Sequence, residues 1–350
     1  MTSAPTAILD WGTANRVGGT LAGSGPATGS AERARLREEV AAAVTRAESL
    51  VVELTGLQPE GPSTRPWVMT RDEWVERNLR SFETVLRPLA RRLEQQGSSG
   101  AMATVRRKTL GTQVGMLLGY VGRKVLGQYD LFLPPDDRDL LYFVGPNIVG
   151  IERRFAFDPK EFRLWISLHE VTHRLQFDGV PWLRGHVLGL IDEYLTSIDL
   201  DARRLAETLR RAVEEAKRRG RWRGVGFVSL FMTPEQRDTF HRMQAVMSLL
   251  EGHANHAMHA LSPDHVPSAP RMRRVLQRRR QAQGPSRVLQ RAIGFEAKAS
   301  QYDQGERFVA AVVEAAGMEG FNRVWERESN LPTLEEIRHP AAWVQRVAAR

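Results

Sequence analysis

The amino-acid sequence predicts an α+β protein that is predominantly α-helical and carries a small β-sheet. Apolar residues recur at helical spacing through most of the chain, whereas residues 140–155 concentrate aromatic and β-branched side chains. A third observation is a helical segment that contains His169-Glu170-Val171-Thr172-His173. At 350 residues the chain can bury a large core, and its length alone forces no division into domains.

The elements follow in order. Residues 12–31 are rich in Gly, Ala, Ser and Thr, so residues 1–30 are expected to form a flexible N-terminal segment. The expectation for 31–350 is a single domain, with 31–127 as a helical N-terminal subdomain. Helices are predicted over about 31–57 and 70–96, joined by a Pro-rich connection at 59–66. Another is predicted from Thr104 to Leu126, with Gly111, Gly115 and Gly119 on one ridge suited to close helix packing in a core. Its apolar part, between Lys108 and Arg123, is shorter than the roughly 20 residues that a bilayer requires.

The run LLYFVGPNIVGIERRF at 140–155 reads as strand, broken at Gly145-Pro146-Asn147. It reads either as an ordinary structural strand or as an edge strand beside the next helix that offers its backbone to an extended peptide. After Gly179-Val180-Pro181 the pattern returns to helices over about 186–219, 234–261, 271–281, 286–315 and 317–328, with a short one at 340–348.

The helix that carries the histidines has its own start signals. Asp158 suits the N-cap, Pro159 the first turn, and Glu161 the third position of a capping box, so a helix is expected from about Pro159 to Gln176. Leu164, Leu168, Val171 and Leu175 form one apolar stripe, while Phe162, Ile166, His169, His173 and Gln176 cluster on an adjacent face. Histidines four residues apart project from the same side of a helix about one turn apart. Two imidazoles can therefore grip one ion while Glu170 reaches a water activated there, the H-E-x-x-H arrangement of zinc peptidases.

Composition narrows the remaining chemistry. The chain has no cysteine, which excludes a disulfide scaffold and thiolate ligands and leaves His, Asp and Glu as the strong metal ligands. No secretory pattern is visible near the start and no apolar run is long enough for a membrane span, so a soluble, cytoplasmic protein is expected. The formal charge of +9 raises nucleic acid as a partner. Against it, 203–223 interleaves Glu207, Glu214 and Glu215 with arginines as on a solvated helix face, and RMRRVLQRRR at 271–280 lacks aromatic interleaving.

A catalytic zinc site with two histidines needs a third protein ligand. The metzincin pattern is excluded, because positions 176 and 179 are Gln and Gly. Two carboxylate candidates remain: Asp192 with Glu193, and Glu251 in MSLLEGHANHAMHAL. The second has more internal support, since Glu251 and Asn255 share a helix face, placing Asn255 to support a ligand from behind. His253 points about 160° away from Glu251, and His253, His256 and His259 read chiefly as packing, supporting or surface groups.

The segments LHEVTHRLQF, PWL at 181–183, SLLEGHANH, QYDQGERFV at 301–309 and LPTLEEI at 331–337 resemble a zincin-like hydrolase family of high-GC bacteria. One branch of that family is named for association with deazaflavin-cofactor biosynthesis. The resemblance runs from about Gly127 to Val344 and weakens before it. It implies a zincin-like metalloprotease fold and Glu251 as third ligand. The chain departs from the family pattern at Asn255, where Asp is expected; an amide removes a charge that would hold a ligand imidazole.

The functional expectation is a zinc metallopeptidase with one zinc ion on His169, His173 and Glu251, and Glu170 as general base. Tyr302 is the candidate oxyanion donor, followed by Arg274 and His256. The partner would be a peptide or protein substrate whose identity, like the oligomeric state, is not encoded in these motifs. The alternative is a metal-binding scaffold with a zincin-like fold and no turnover.

Overall fold

The computed structural model describes residues 8–95, 101–197, 232–281 and 298–349. Its contacts form two compact units, Met1–Gly179 with Ala257–Met272, and Val180–His256 with Arg273–Arg350. As the sequence predicts, helices dominate and the sheet is small, with three strands among the described residues.

The first unit begins with helix α1, Trp11–Ala22, where the composition predicts loop. Asp10 caps it, its carboxylate accepting from the Thr13 N–H at 2.7 Å. The stabilising partner is α4, Ala101–Gly122, whose glycine ridge faces α1. A methyl group on Gly111, Gly115 or Gly119 would lie 2.5, 2.5 and 2.6 Å from the carbonyl oxygens of Asp10, Ala14 and Gly18 respectively. The ridge thus does serve close packing, and its partner is the segment whose composition conceals a helix.

Helix α2, Ser30–Thr55, buries Leu36, Val40, Val44, Ala47, Leu50 and Val51 and packs against the motif helix. The Pro-rich connection leads into an unanticipated strand, β1, Arg65–Met69, followed by α3, Arg71–Gln95. A second unanticipated strand, β2, Gly127–Tyr129, pairs antiparallel with β3, Leu140–Val144, in the register Gly127↔Phe143. Strand β1 pairs parallel with the other side of β3, Met69 opposite Val144. The strand at 140–144 is therefore central, an ordinary structural strand rather than an edge; β1 and β2 are the edges.

The second half of the 140–155 run is helix α5, Gly145–Phe155. Pro146 in its first turn lacks the N–H that a helix start leaves unpaired, and Ile148, Val149, Ile151 and Glu152 are buried at helical spacing. Asn147 anchors the start, its amide donating to the carbonyls of Gly122 and Val125 at 2.8 and 2.6 Å.

The motif helix, α6, spans Pro159–Asp178. Asp158 caps it, accepting from the Glu161 N–H at 2.9 Å, but the capping box stays half formed. The Glu161 carboxylate instead accepts from the N–H and hydroxyl of Ser268, at 2.8 and 2.6 Å.

In the second unit, α7, Pro181–Ser197, begins at the PWL segment, where the Trp182 indole N–H donates to the Trp325 carbonyl at 2.8 Å. Helix α8, Pro234–His265, carries the SLLEGHANH segment and is followed in the chain by α9, Ala269–Gln281. Helix α10, Lys298–Asn322, changes direction at Gly317, whose φ of 70° few side chains tolerate; this is the break expected after residue 315. LPTLEEI supplies a capping box, Thr333 with Glu336, for α11, Leu334–Arg338. Helix α12, Pro340–Trp343, then continues into one π turn, Val344–Ala348, and the Trp343 indole N–H donates to the Asn330 carbonyl at 2.7 Å. Two of the family-like segments are thus packing and capping devices rather than chemistry. No described helix is long and apolar enough to cross a membrane. The Arg-rich stretch at 203–223 and the start of the helix expected at 286–315 lie outside the described residues.

Candidate metal centre

Helix α6 is buried on almost every side, unlike the half-exposed amphipathic helix that its pattern suggests. Two buried arginines make this possible. Arg163 meets Glu152 through two bonds of 2.8 Å and also pairs with Glu39. Arg174, fully buried, donates to the Thr64 hydroxyl and the Pro62 carbonyl and pairs with Glu48 and Asp178 at 3.2 and 3.0 Å. A charge taken this far from water is tolerated only when it is paired, as both arginines are.

Within that surface His169 and His173 are partly exposed, while Glu170, Val171 and Thr172 between them are buried. Their rings stand perpendicular, at 88° with centroids 4.7 Å apart, and their Nε2 atoms face each other at 3.2 Å. The Nδ1 of His173 lies 3.0 Å from Oε1 of the fully buried Gln176. Gln176 is a residue that the pattern left without a role, although its three-residue spacing from His173 allows the contact.

One potential ligand atom from each of His169, His173 and Glu251 lies within 4.8 Å of the others. The two nitrogens and one carboxylate oxygen are the donor types that a zinc ion accepts, so these residues fit the metal. The rival carboxylates Asp192 and Glu193 are exposed on α7. Glu193 accepts from the Thr239 hydroxyl at 2.6 Å and pairs with Arg242, contacts that hold its carboxyl below the usual carboxylate range.

Glu170 is buried, against strand β2. A methyl group built on Gly127 would stand 2.6 Å from Glu170 Cγ and 2.9 Å from its Oε1, so the carboxylate lies directly on the Gly127 backbone. Nothing in the sequence pattern connects these two residues, because the contact depends on how β2 pairs with β3.

The remaining candidates separate. Asn255 is half-buried one turn beyond Glu251 on α8. His253 is fully buried and stacks on Phe321, with ring centroids 5.1 Å apart, as expected for a packing residue. Burial pushes the His256 imidazole below its ordinary range, opposed by Glu306, whose own carboxyl burial pushes up against the pull of Arg273 and His256. Arg274 is exposed on α9. Tyr302 belongs to α10, and its side chain lies outside the described residues. In the basic stretch that begins at 271, Arg271 donates to the Phe155 and Ala156 carbonyls at 2.6 and 3.1 Å, a structural use of its charge.

The fold and the His-His-Glu cluster together describe a metallopeptidase-like protein, and comparison with known families agrees. The chain belongs to the zincin-like metallopeptidase family, whose model matches residues 9–344. That match extends well upstream of Gly127, where the resemblance in sequence weakens. The chain is also similar to a protein of known crystal structure from Chloroflexus aurantiacus, described as a "putative hydrolase with a novel fold". The two share 35% identity over 97% of this chain and 98% of the other, with a TM-score of 0.73. A search of curated proteins finds no match.

Proposed function

We propose that this protein is a zinc-dependent hydrolase of peptide amides, with one ion held by His169, His173 and Glu251. The observation that carries this reading is the convergence of the three ligand atoms within 4.8 Å. Family membership supports zinc over other ions that accept the same donors. Zinc bound there supplies Lewis acidity to water and to a substrate carbonyl at neutral pH.

The chain's own residues do the rest. Glu170, adjacent in sequence to His169, takes a proton from the attacking water and delivers it to the leaving amine. Its burial against Gly127 holds the carboxylate in one place, which general-base catalysis requires. Strand β2 is an edge strand beside Glu170, a position suited to pairing with an extended peptide backbone. Tyr302, from the family-like QYDQGERFV segment, is assigned as oxyanion donor, and Asn255 as support for the ligand set. On the same family-like segments we assign the chain to the high-GC branch associated with deazaflavin-cofactor biosynthesis, a link of co-occurrence that names no bound cofactor.

Elemental analysis of untagged protein tests the reading, comparing wild type with His169→Ala, Glu251→Ala and Asp192→Ala after identical purification. Near one equivalent of zinc is expected in wild type and Asp192→Ala, and loss of it in the other two variants. No zinc in wild type after zinc is supplied would overturn the proposal. Zinc without cleavage across a peptide library would instead leave a metal-binding scaffold.

A further inference from the structure

Gln176 has no role in the H-E-x-x-H chemistry, yet it is fully buried with its amide oxygen 3.0 Å from His173 Nδ1. An amide oxygen only accepts, so the ring nitrogen facing it must carry the proton. In a neutral imidazole one nitrogen carries the proton and the other a lone pair. With the proton at Nδ1, His173 presents its lone pair at Nε2, toward His169 Nε2 at 3.2 Å.

We propose that Gln176 is a positioning residue that presets the tautomer of His173, so that its Nε2 lone pair faces the candidate metal position. The proposal rests on the reading of His169 and His173 as ligands and deepens it by assigning His173 its support. Histidine ligands elsewhere commonly lean on a carboxylate, carbonyl or water through the nitrogen that does not bind the metal. Here a neutral amide three residues along the same helix does the work, so the ligand and its support are fixed together by one backbone. A carboxamide orients the ring without adding charge, whereas the Glu in the same place would also make the imidazole more basic.

The test uses the full chain labelled with ¹⁵N at histidine, stripped of metal, together with zinc competition titrations. The His173 resonances should show the proton at Nδ1. Gln176→Leu should shift His173 toward a mixture of tautomers and weaken zinc binding by about 10- to 100-fold, the usual effect of losing such a support. Gln176→Glu, which keeps an acceptor oxygen, should restore affinity to at least the wild-type level. A His173 proton at Nε2 in wild type would overturn the proposal without reference to any variant. So would undiminished zinc affinity in a folded Gln176→Leu protein. Wild-type protein that binds no zinc, with the His173 tautomer as expected, would instead overturn the reading of the centre on which the proposal rests.

Discussion

The Glu170 carboxylate rests on the backbone of Gly127, so closely that a Cβ at position 127 would fall 2.6 Å from Glu170 Cγ. Real side chains do not approach at that distance, and Gly127→Ala must displace either the carboxylate or strand β2. Zinc content should stay at the wild-type level, while turnover of a peptide substrate falls about 100-fold, the scale expected for an ångström of misplacement at a catalytic group. Single-turnover rates measured beside elemental analysis check this; unchanged turnover would show that Glu170 tolerates the shift.

Glu170→Gln removes the proposed base while preserving shape. It should keep its zinc and lose hydrolysis by about 100- to 10,000-fold, the usual contribution of general acid–base catalysis. Full activity in this variant on a verified substrate would exclude Glu170 as the base.

The contact between α1 and α4 gives a prediction about stability. Valine at Gly115 would set its Cβ 2.5 Å from the Ala14 carbonyl oxygen, a backbone atom with nowhere to go. Gly115→Val should lower stability by about 1–3 kcal/mol in denaturant unfolding, as overpacking usually does. Gly185→Ala in α7, with nothing within 4 Å of the added methyl, should be neutral or slightly stabilising.

The buried pair Arg163 and Glu152 predicts a dependence on pH. Burial raises the Glu152 carboxyl above its ordinary range, and Arg163 opposes that rise. A carboxyl raised in the folded state favours the protonated form, so its contribution to stability is complete below the unfolded pKa and is lost as pH climbs through the folded one. Arg163→Met removes the opposing charge and leaves Glu152 uncompensated. Its cost should be about 3–5 kcal/mol at neutral pH. The deficit against wild type should shrink as pH falls below the raised Glu152 range, which thermal unfolding at several pH values would show; a deficit independent of pH would mean that the loss is one of packing.

How much of this was readable in the residues depends on whether the cause was local. Helix α6 was legible because Asp158, Pro159 and the apolar spacing lie within the helix and act on it directly. Helix α1 was not, because its Gly- and Thr-rich sequence has little helical preference and α4, roughly a hundred residues away, provides the packing. In α5, Ile148, Val149 and Ile151 suggested strand, yet Pro146 and the anchoring of Asn147 determine a helix. Glu161 does lie in the first turn of the helix, but Ser268 takes the carboxylate that a capping box would use. For the third ligand, spacing along the chain left two candidates open. Folded geometry groups Glu251 with the imidazoles and engages Glu193 elsewhere.

Burial of α6 on almost all sides has a consequence for exchange with solvent and for the order of events in binding. Amide protons around His169 and His173 should be among the slowest to exchange for deuterium, because only large-scale opening would expose them. The two imidazoles should then keep their arrangement whether or not an ion is present. A metal arriving at such a helix meets ligands already assembled, so little conformational freedom remains to be lost, and stripping the metal should leave the protein folded and ready to reload.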